Sequence, residues 1–215
     1  MRVLILGSTG RIGSLALDGA LEDGHEVTVL VRDAGRVEPR DGLSVVAGDV
    51  RDEQAVRAAS RDVDAVIAAL GPRSNSLADE EGLALGMRNL VAAMLGSDVP
   101  RLVALSGAGV DVPGDRKPFV DRIMSRVVRR FARYVVGAKQ REFEAFADSK
   151  LDWTALRPPL VTNGVARGYR LDGSLQPGAR VTRADVAQAL VDQLVDRSFI
   201  RVAPFVLPPR TSSRP

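Results

Sequence analysis

Short apolar runs alternate with amphipathic stretches along most of the chain. Val3-Leu4-Ile5-Leu6, Val27-Thr28-Val29-Leu30-Val31, Leu43-Ser44-Val45-Val46, Ala65 to Leu70, Arg101 to Leu105 and Trp153 to Leu156 have strand length and many β-branched residues. Near-continuous apolar runs of this kind are expected of parallel strands buried on both faces. Between them the spacing predicts helices after Gly13, near Glu53 to Ser60, over Glu80 to Leu95, over Phe119 to Ala147 and over Arg183 to Val195. A last strand is predicted near Arg201 to Val206. Strands alternating with helices predict an α/β fold, a Rossmann-like doubly wound parallel sheet with right-handed crossovers. No linker or repeat interrupts the pattern, and 215 residues suit a single domain of this class. That domain is expected over residues 1–208, with substrate-capping elements in its C-terminal part and a flexible tail over 209–215.

The first run meets Gly7-Ser8-Thr9-Gly10-Arg11-Ile12-Gly13 and then an alanine- and leucine-rich helical pattern. In a strand–turn–helix of this form the first glycine permits the sharp turn and the second lets backbone approach a pyrophosphate. The third lets the helix pack closely on the strand, so that N–H groups at its start face the phosphate. The second strand follows at the spacing of a βαβ unit, the context that separates a dinucleotide fingerprint from a ligand-free turn. That second strand ends in Arg32, with Arg36 four residues on. Arginine at this place suits the 2′-phosphate of NADP, whereas a carboxylate there suits the ribose hydroxyls of NAD. NADP is therefore the expected cofactor over NAD, with Asp33 left as an alternative partner for the ribose.

Ligands of such sheets lie beyond the carboxyl ends of the strands. The rule nominates Asp49 and Val50 beside the adenine, Leu70, Gly71 and Pro72 along the middle of the cofactor, and Ser106 and Gly107 near the nicotinamide. It also nominates Pro158, Pro159 and Leu160 on the far side. Arg157 and the loop Val161 to Val181 are expected to shape an acceptor pocket. Asp49 has an alternative reading as a turn or capping carboxylate.

Composition removes several function classes. There is no cysteine and the single histidine is His25, so thiol chemistry is excluded and a metal site is not expected. No run approaches the ~20 apolar residues of a membrane span, and Met1-Arg2 leads directly into the first strand, so no signal peptide is expected and the protein is read as cytoplasmic. All but three of the 30 basic residues are arginine, and the formal net charge is only +3. No motif supports nucleic-acid binding. Residues 116–141 carry nine of the basic residues against Asp121, on a helical pattern with Val120, Ile123, Met124, Val127, Val128 and Phe131 on the apolar face. A core-packed helix with a solvated face is the simplest reading, ahead of a lid or dimer contact and of a membrane surface. The protein is expected as a monomer or homodimer.

Taken together, the Gly7 to Gly13 turn, Val27 to Arg32 with Arg36, Gly48-Asp49-Val50, Leu70-Gly71, Ser106, and Ser149 through Trp153 to Arg157-Pro158-Pro159 resemble the atypical short-chain dehydrogenases/reductases of the NAD(P)H-binding, NmrA-like group. Within it the chain is similar to the flavin reductase/biliverdin-IXβ reductase type. The resemblance implies a catalytic or cofactor-binding part for Ser106 and Lys139, along with Gly7 to Gly13, Arg32, Arg36, Asp49, Val50, Leu70, Gly71 and Pro158 to Leu160. Two departures narrow the chemistry. The usual short-chain dehydrogenases carry Tyr-x-x-x-Lys, but four residues before Lys139 stands Val135, and Tyr134 misses that position by one, about 100° around a helix. The biliverdin reductase type carries a His where Leu160 stands here, and another where Lys139 stands, which argues against biliverdin as substrate. Without a positioned acid, hydride delivery to a flavin- or quinone-like aromatic acceptor is the expected reaction, with Ser106 and Lys139 left to polarise a carbonyl. A non-catalytic NADP(H)-sensing regulator and an epimerase/dehydratase-like enzyme that uses its dinucleotide transiently are the alternatives.

Overall fold

The computed structural model describes residues 1–113, 115 and 133–210. The basic segment therefore lies outside the described residues over 116–132, as does the end of the predicted tail from 211 onward. The elements run β1 (Arg2–Leu6), α1 (Gly13–Glu22), β2 (Glu26–Val31), a 3-10 turn (Ala34–Arg36), β3 (Leu43–Ala47), α2 (Glu53–Ala59), β4 (Ala65–Ala68), α3 (Leu77–Gly96) and β5 (Arg101–Leu105). They continue as α4 (Arg133–Ala147), β6 (Asp152–Leu156), β7 (Leu160–Thr162), β8 (Arg170–Asp172), β9 (Arg180–Thr182), α5 (Arg183–Asp192) and β10 (Phe205–Leu207).

One six-stranded sheet in the order β3-β2-β1-β4-β5-β6, parallel at every pairing, forms the centre. This is the doubly wound order that the alternation predicts. The two-residue period of a strand divides β1 between two cores. Leu4 and Leu6 join Val56 of α2, Met87, Leu90 and Met94 of α3, and Phe143 and Phe146 of α4 on one face. Val3 and Ile5 join Ala16 and Leu17 of α1 and Val186 and Leu190 of α5 on the other. Each such side chain, fully buried, contributes about 1.5–3 kcal/mol by leaving water, which is why β1 carries no polar residue after Arg2. Phe143, Phe146 and Trp153 meet edge-on or tilted, with ring centres 5.5–5.6 Å apart, and fix α4 against β6.

Boundaries differ from the pattern where a specific contact intervenes. β4 stops at Ala68, two residues short, and just beyond that end the carbonyl of Leu70 accepts from Lys139 Nζ at 2.5 Å. Helix α3 begins at Leu77 rather than Glu80, since Ser76 Oγ accepts from the backbone N–H of Asp79 and caps it there. The helix expected to reach Val195 ends at Asp192, and the buried guanidinium of Arg101 donates through Nε to Gln193 O at 3.0 Å just beyond that end. Burial lowers the pKa of that guanidinium to about 10. The expected final strand shortens to Phe205–Leu207 because Arg201 adopts φ +56, which breaks an extended run. The stretch read as a loop, Val161 to Val181, holds short strands that pair β7 with β9 and β8 with β10. Among the described residues no helix is long and apolar enough to cross a membrane.

Candidate functional site

The strand order reverses between β1 and β4, so the crossovers diverge there and leave a crevice at the carboxyl ends. A cleft of about 300 Å³ occupies that place. It is lined by Gly7, Ser8 and Thr9 after β1, Leu30, Val31 and Arg32 at the end of β2, Gly48 to Arg51 after β3, and Leu70 to Arg73 after β4. Ala78, Asp79, Gly82 and Leu83 of α3 close it.

The glycine turn is built as its sequence requires. Gly7 has φ +82, and a Cβ there would lie 2.4 Å from Ala69 O, so the left-handed turn and the close pass of β4 both demand glycine. A Cβ on Gly13 would lie 2.1 Å from Gly7 O, which is how tightly α1 sits on the turn. Gly10 is exposed, and its Cβ would meet only Gly7 O, at 3.1 Å. Helices α2, α3 and α5 are capped by the side chains of Asp52, Ser76 and Thr182, whereas α1 has neither a side-chain cap nor an acidic residue in its first turn. The Ser14 N–H donates to Gly10 O at 2.9 Å, and with no side chain capping the helix its start is open to an anion. Ser8 Oγ is buried at the same turn with no hydrogen-bond partner among the described residues. An uncapped helix start, an orphaned hydroxyl and a glycine cradle fit the pyrophosphate of a dinucleotide.

The charged side chains divide unevenly. Arg32 lines the cleft and forms no ion pair among the described residues, while Arg36 is exposed on the 3-10 turn and does not line it. Asp33 accepts from the N–H of Gly35 at 3.0 Å and so caps that turn. Asp49 lines the cleft, but among the described residues its carboxylate accepts only from Arg51, through the backbone N–H at 2.9 Å, Nε at 2.9 Å and Nη2 at 2.8 Å. The turn-carboxylate reading of Asp49 is thus realised, and the Arg51 bonds hold its pKa below the usual carboxylate value. Asp79 likewise accepts from Ser74 Oγ and the N–H groups of Ser74 and Arg73, which lower its pKa and shape the loop after β4. Val50 is pinned by Asn89 Nδ2, which donates to its carbonyl at 3.0 Å.

The remaining expected residues form a second group at the same edge of the sheet, outside the cleft lining. Lys139 is not the free cation its position suggests: Nζ donates to Leu70 O at 2.5 Å and Leu105 O at 2.8 Å and pairs with Glu142 at 2.6 Å. It therefore ties the loop after β4 to the end of β5. Burial raises the pKa of Glu142 while the Lys139 charge opposes that rise. Ser106 is buried at the end of β5 and its Oγ has no partner among the described residues. Its N–H donates to Leu156 O at 2.8 Å, and the Ala108 N–H donates to Pro158 O at 3.3 Å, so the loops after β5 and β6 are joined. Pro158 is buried, Pro159 half-buried and Leu160 exposed. Arg11 is exposed and Ile12 packs on the α1 face of the core. Arg157 does not line the described cleft: it is 2% exposed, forks onto Asp115 at 2.5 and 2.8 Å and lies 4.0 Å over the Phe205 ring. Tyr134 donates its backbone N–H to Asn75 Oδ1, and its hydroxyl accepts from Arg133.

Arg51, Arg73 and the α3 residues are the lining groups the sequence did not single out. A signal for α3 exists in Ala78, Gly82 and Gly86, small residues four apart on one helix face. A Cβ on Gly86 would lie 2.6 Å from Val50 Cγ2, so this stripe lets the segment after β3 come against the helix.

The chain is 32% identical over 203 residues to (4-alkanoyl-5-oxo-2,5-dihydrofuran-3-yl)methyl phosphate reductase of Streptomyces griseus, covering 89% of this chain and 62% of that protein's length. Its fold is similar to that of ChuY, an anaerobillin reductase from Escherichia coli O157:H7, with a TM-score of 0.80, 19% identity and full coverage of both chains. It is equally similar to a wide-type short-chain dehydrogenase/reductase from Veillonella parvula in complex with NADP, with a TM-score of 0.80, 20% identity, and 98% and 95% of the two chains covered. A family profile described as NAD(P)H-binding matches residues 7–197, from the first glycine of the turn past the end of α5. A match of that extent, on a fold whose switch point carries a dinucleotide cradle, means that the chain belongs to the NAD(P)H-binding family.

Proposed function

We propose that the protein is an NADPH-dependent reductase that delivers hydride to a small aromatic acceptor of flavin or quinone type. The observation that carries the reading is the state of the polar groups beyond the strand ends. Lys139 has its three donors engaged, Tyr134 lies outside the cleft lining, and Ser106 keeps an unpartnered hydroxyl. Such a set is poor in positioned acids. A ketone reduced to an alkoxide needs one, whereas a reduced flavin or quinone delocalises its charge and is protonated by solvent.

Bound NADPH supplies the hydride. The chain's residues bind and orient. N–H groups of the Ser8 to Gly13 turn and the Ser8 hydroxyl hold the pyrophosphate, Arg32 takes the 2′-phosphate, and Leu70 and Gly71 line the way towards Ser106. Among the described residues a Cβ on Gly71 or on Gly107 would meet no heavy atom within 4 Å, which leaves open space at each for a flat ring system. Ser106 orients a carboxamide or an acceptor carbonyl through its hydroxyl. The small-molecule reductases among the relatives favour turnover over a purely sensing role.

Consumption of NADPH at 340 nm with flavins and quinones as acceptors tests the reading. Tight NADPH binding with no turnover on either class would overturn it in favour of a sensor. Arg32→Ala is expected to weaken NADPH at least about tenfold, the effect of losing a charge-assisted bond, with NADH within about twofold. Equal losses in calorimetry would remove Arg32 from the 2′-phosphate site. Tyr134→Phe is expected to change turnover by less than about threefold, against the 10²–10⁴-fold effect of a lost general acid. A hundredfold fall at unchanged NADPH affinity would make Tyr134 the acid after all.

A further inference from the structure

The pair Asp49 and Arg51 has a geometry that a simple adenine contact does not explain. Asp49 accepts three hydrogen bonds from Arg51 alone. A carboxylate offers about four lone-pair sites, so little accepting capacity remains for an adenine amino group. The side chain expected to border the base is a bracket, and what it holds is a guanidinium.

A fork through Nε and Nη2 occupies one edge of that planar group. The other edge, with both Nη1 hydrogens and the outer Nη2 hydrogen, has no acceptor among the described residues. The side chain is 59% exposed at the rim of the cleft, and its stem runs against α3, where a Cβ on Gly82 would come within 3.3 Å of Arg51 Cδ. Arg51 is thus a cation fixed at its base by a carboxylate and turned outward by its free edge. That edge matches two oxygens of a phosphate, and a guanidinium already fixed loses little freedom when it binds.

Placement selects which phosphate. The pyrophosphate cradle lies after β1, whereas Arg51 follows β3, the neighbour of β2 on the opposite side from β1. Val31 pairs with Ala47, so the segment holding Arg51 leaves the sheet beside the one holding Arg32. Both arginines line one cleft, and Arg36 lies outside its lining.

We propose that Arg51, held by Asp49 as its positioning residue, is the second arginine of the 2′-phosphate site, the place the sequence spacing gave to Arg36. The proposal rests on reading the cleft as an NADPH site. It assigns the selectivity for NADPH over NADH to two arginines from adjacent strand ends, one of them preset by a carboxylate.

Calorimetric titration of the full chain with NADPH, NADH, 2′,5′-ADP and 5′-ADP tests it. Arg51→Ala is expected to weaken NADPH and 2′,5′-ADP at least about fivefold and to leave NADH and 5′-ADP within about twofold. Asp49→Asn keeps a carbonyl for the Arg51 N–H but cannot form the charged fork, so it should move the same two ligands in the same direction and by less. Arg36→Ala should move none. An Arg51→Ala variant that keeps the wild-type ratio of NADPH to NADH affinity, or loses both ligands equally, overturns the assignment. Wild-type protein that binds NADPH and NADH alike overturns the NADPH reading itself, which separates the two failures. Thermal melting of each variant confirms that the folded protein is being titrated.

Discussion

Lys139→Met is expected to lower folding stability by about 3–5 kcal/mol, the cost of stranding one member of a buried ion pair. The side chain of Lys139 is 14% exposed and that of Glu142 4% exposed, on a helix that Phe143, Phe146 and Trp153 hold in place. Methionine fills the space of the stem but leaves the carboxylate without its cation and the carbonyls of Leu70 and Leu105 without that donor. The deficit should depend on pH. Burial already raises the Glu142 pKa, and with the opposing Lys139 charge gone the rise is unopposed. A folded-state pKa above the unfolded value of about 4.3 means that the native chain keeps a proton the unfolded chain releases, so stability falls as pH climbs from that value towards the folded pKa. The loss measured by denaturant midpoint should therefore be smaller at pH 5 than at pH 8. Lys139→Met with Glu142→Leu should recover most of it, because removing both charges leaves nothing stranded. Equal deficits at both pH values would mean that the pair does not govern the stability. NADPH affinity should fall with the single substitution, since Lys139 ties together the ends of β4 and β5, along which the proposed cofactor site runs.

The same lysine shows where sequence reading works and where it stops. Its position on a helix follows from periodicity, and its nearness to the strand ends is implied by the family resemblance. That its three donors are already engaged follows from neither, since a sequence does not show that the carbonyls of Leu70 and Leu105 converge on Nζ or that Glu142 is buried one turn on. The doubly wound sheet was legible because its signal is repeated: six apolar runs separated by helical spacing agree with one another. The glycine turn was legible because each glycine answers a steric demand, such as the 2.1 Å between a Gly13 Cβ and Gly7 O. Arg36 illustrates the opposite case. Four residues after Arg32, it sits near enough in sequence to suggest a pair, but Asp33 caps a 3-10 turn that carries it away from the cleft lining. Arg51, which lines the cleft with Arg32, follows another strand, and pairing across strands is set by register, which local spacing does not encode. Arg157 fails for a related reason: it stands at a strand end as a ligand residue would, yet its partner Asp115 lies 42 positions away in sequence.

Gly10→Val and Gly13→Val are expected to separate binding from folding within one turn. Gly13 is buried, and a Cβ there would lie 2.1 Å from a backbone oxygen that belongs to the turn itself, with Gly7 C at 2.7 Å and Ser8 Cα at 3.2 Å. None of these is the end of a flexible side chain, so valine must lift α1 off β1 and open the core that Ala16 and Leu17 complete. A loss of more than about 4 kcal/mol is expected, enough to leave little folded protein. Gly10 is exposed and its Cβ meets Gly7 O alone, at 3.1 Å, a contact relieved by a shift of a few tenths of an ångström. Gly10→Val should therefore keep its far-UV circular dichroism, with a denaturant midpoint equivalent to within about 1 kcal/mol of wild type. What it should lose is ligand, because a branched side chain at the point of closest backbone approach keeps a pyrophosphate away from the uncapped start of α1. No measurable binding of NADPH or NADH is the expected outcome, the two cofactors failing together because they share the pyrophosphate. A folded Gly10→Val that still binds NADPH would reduce the turn to a structural device and move the phosphate site elsewhere along the strand ends.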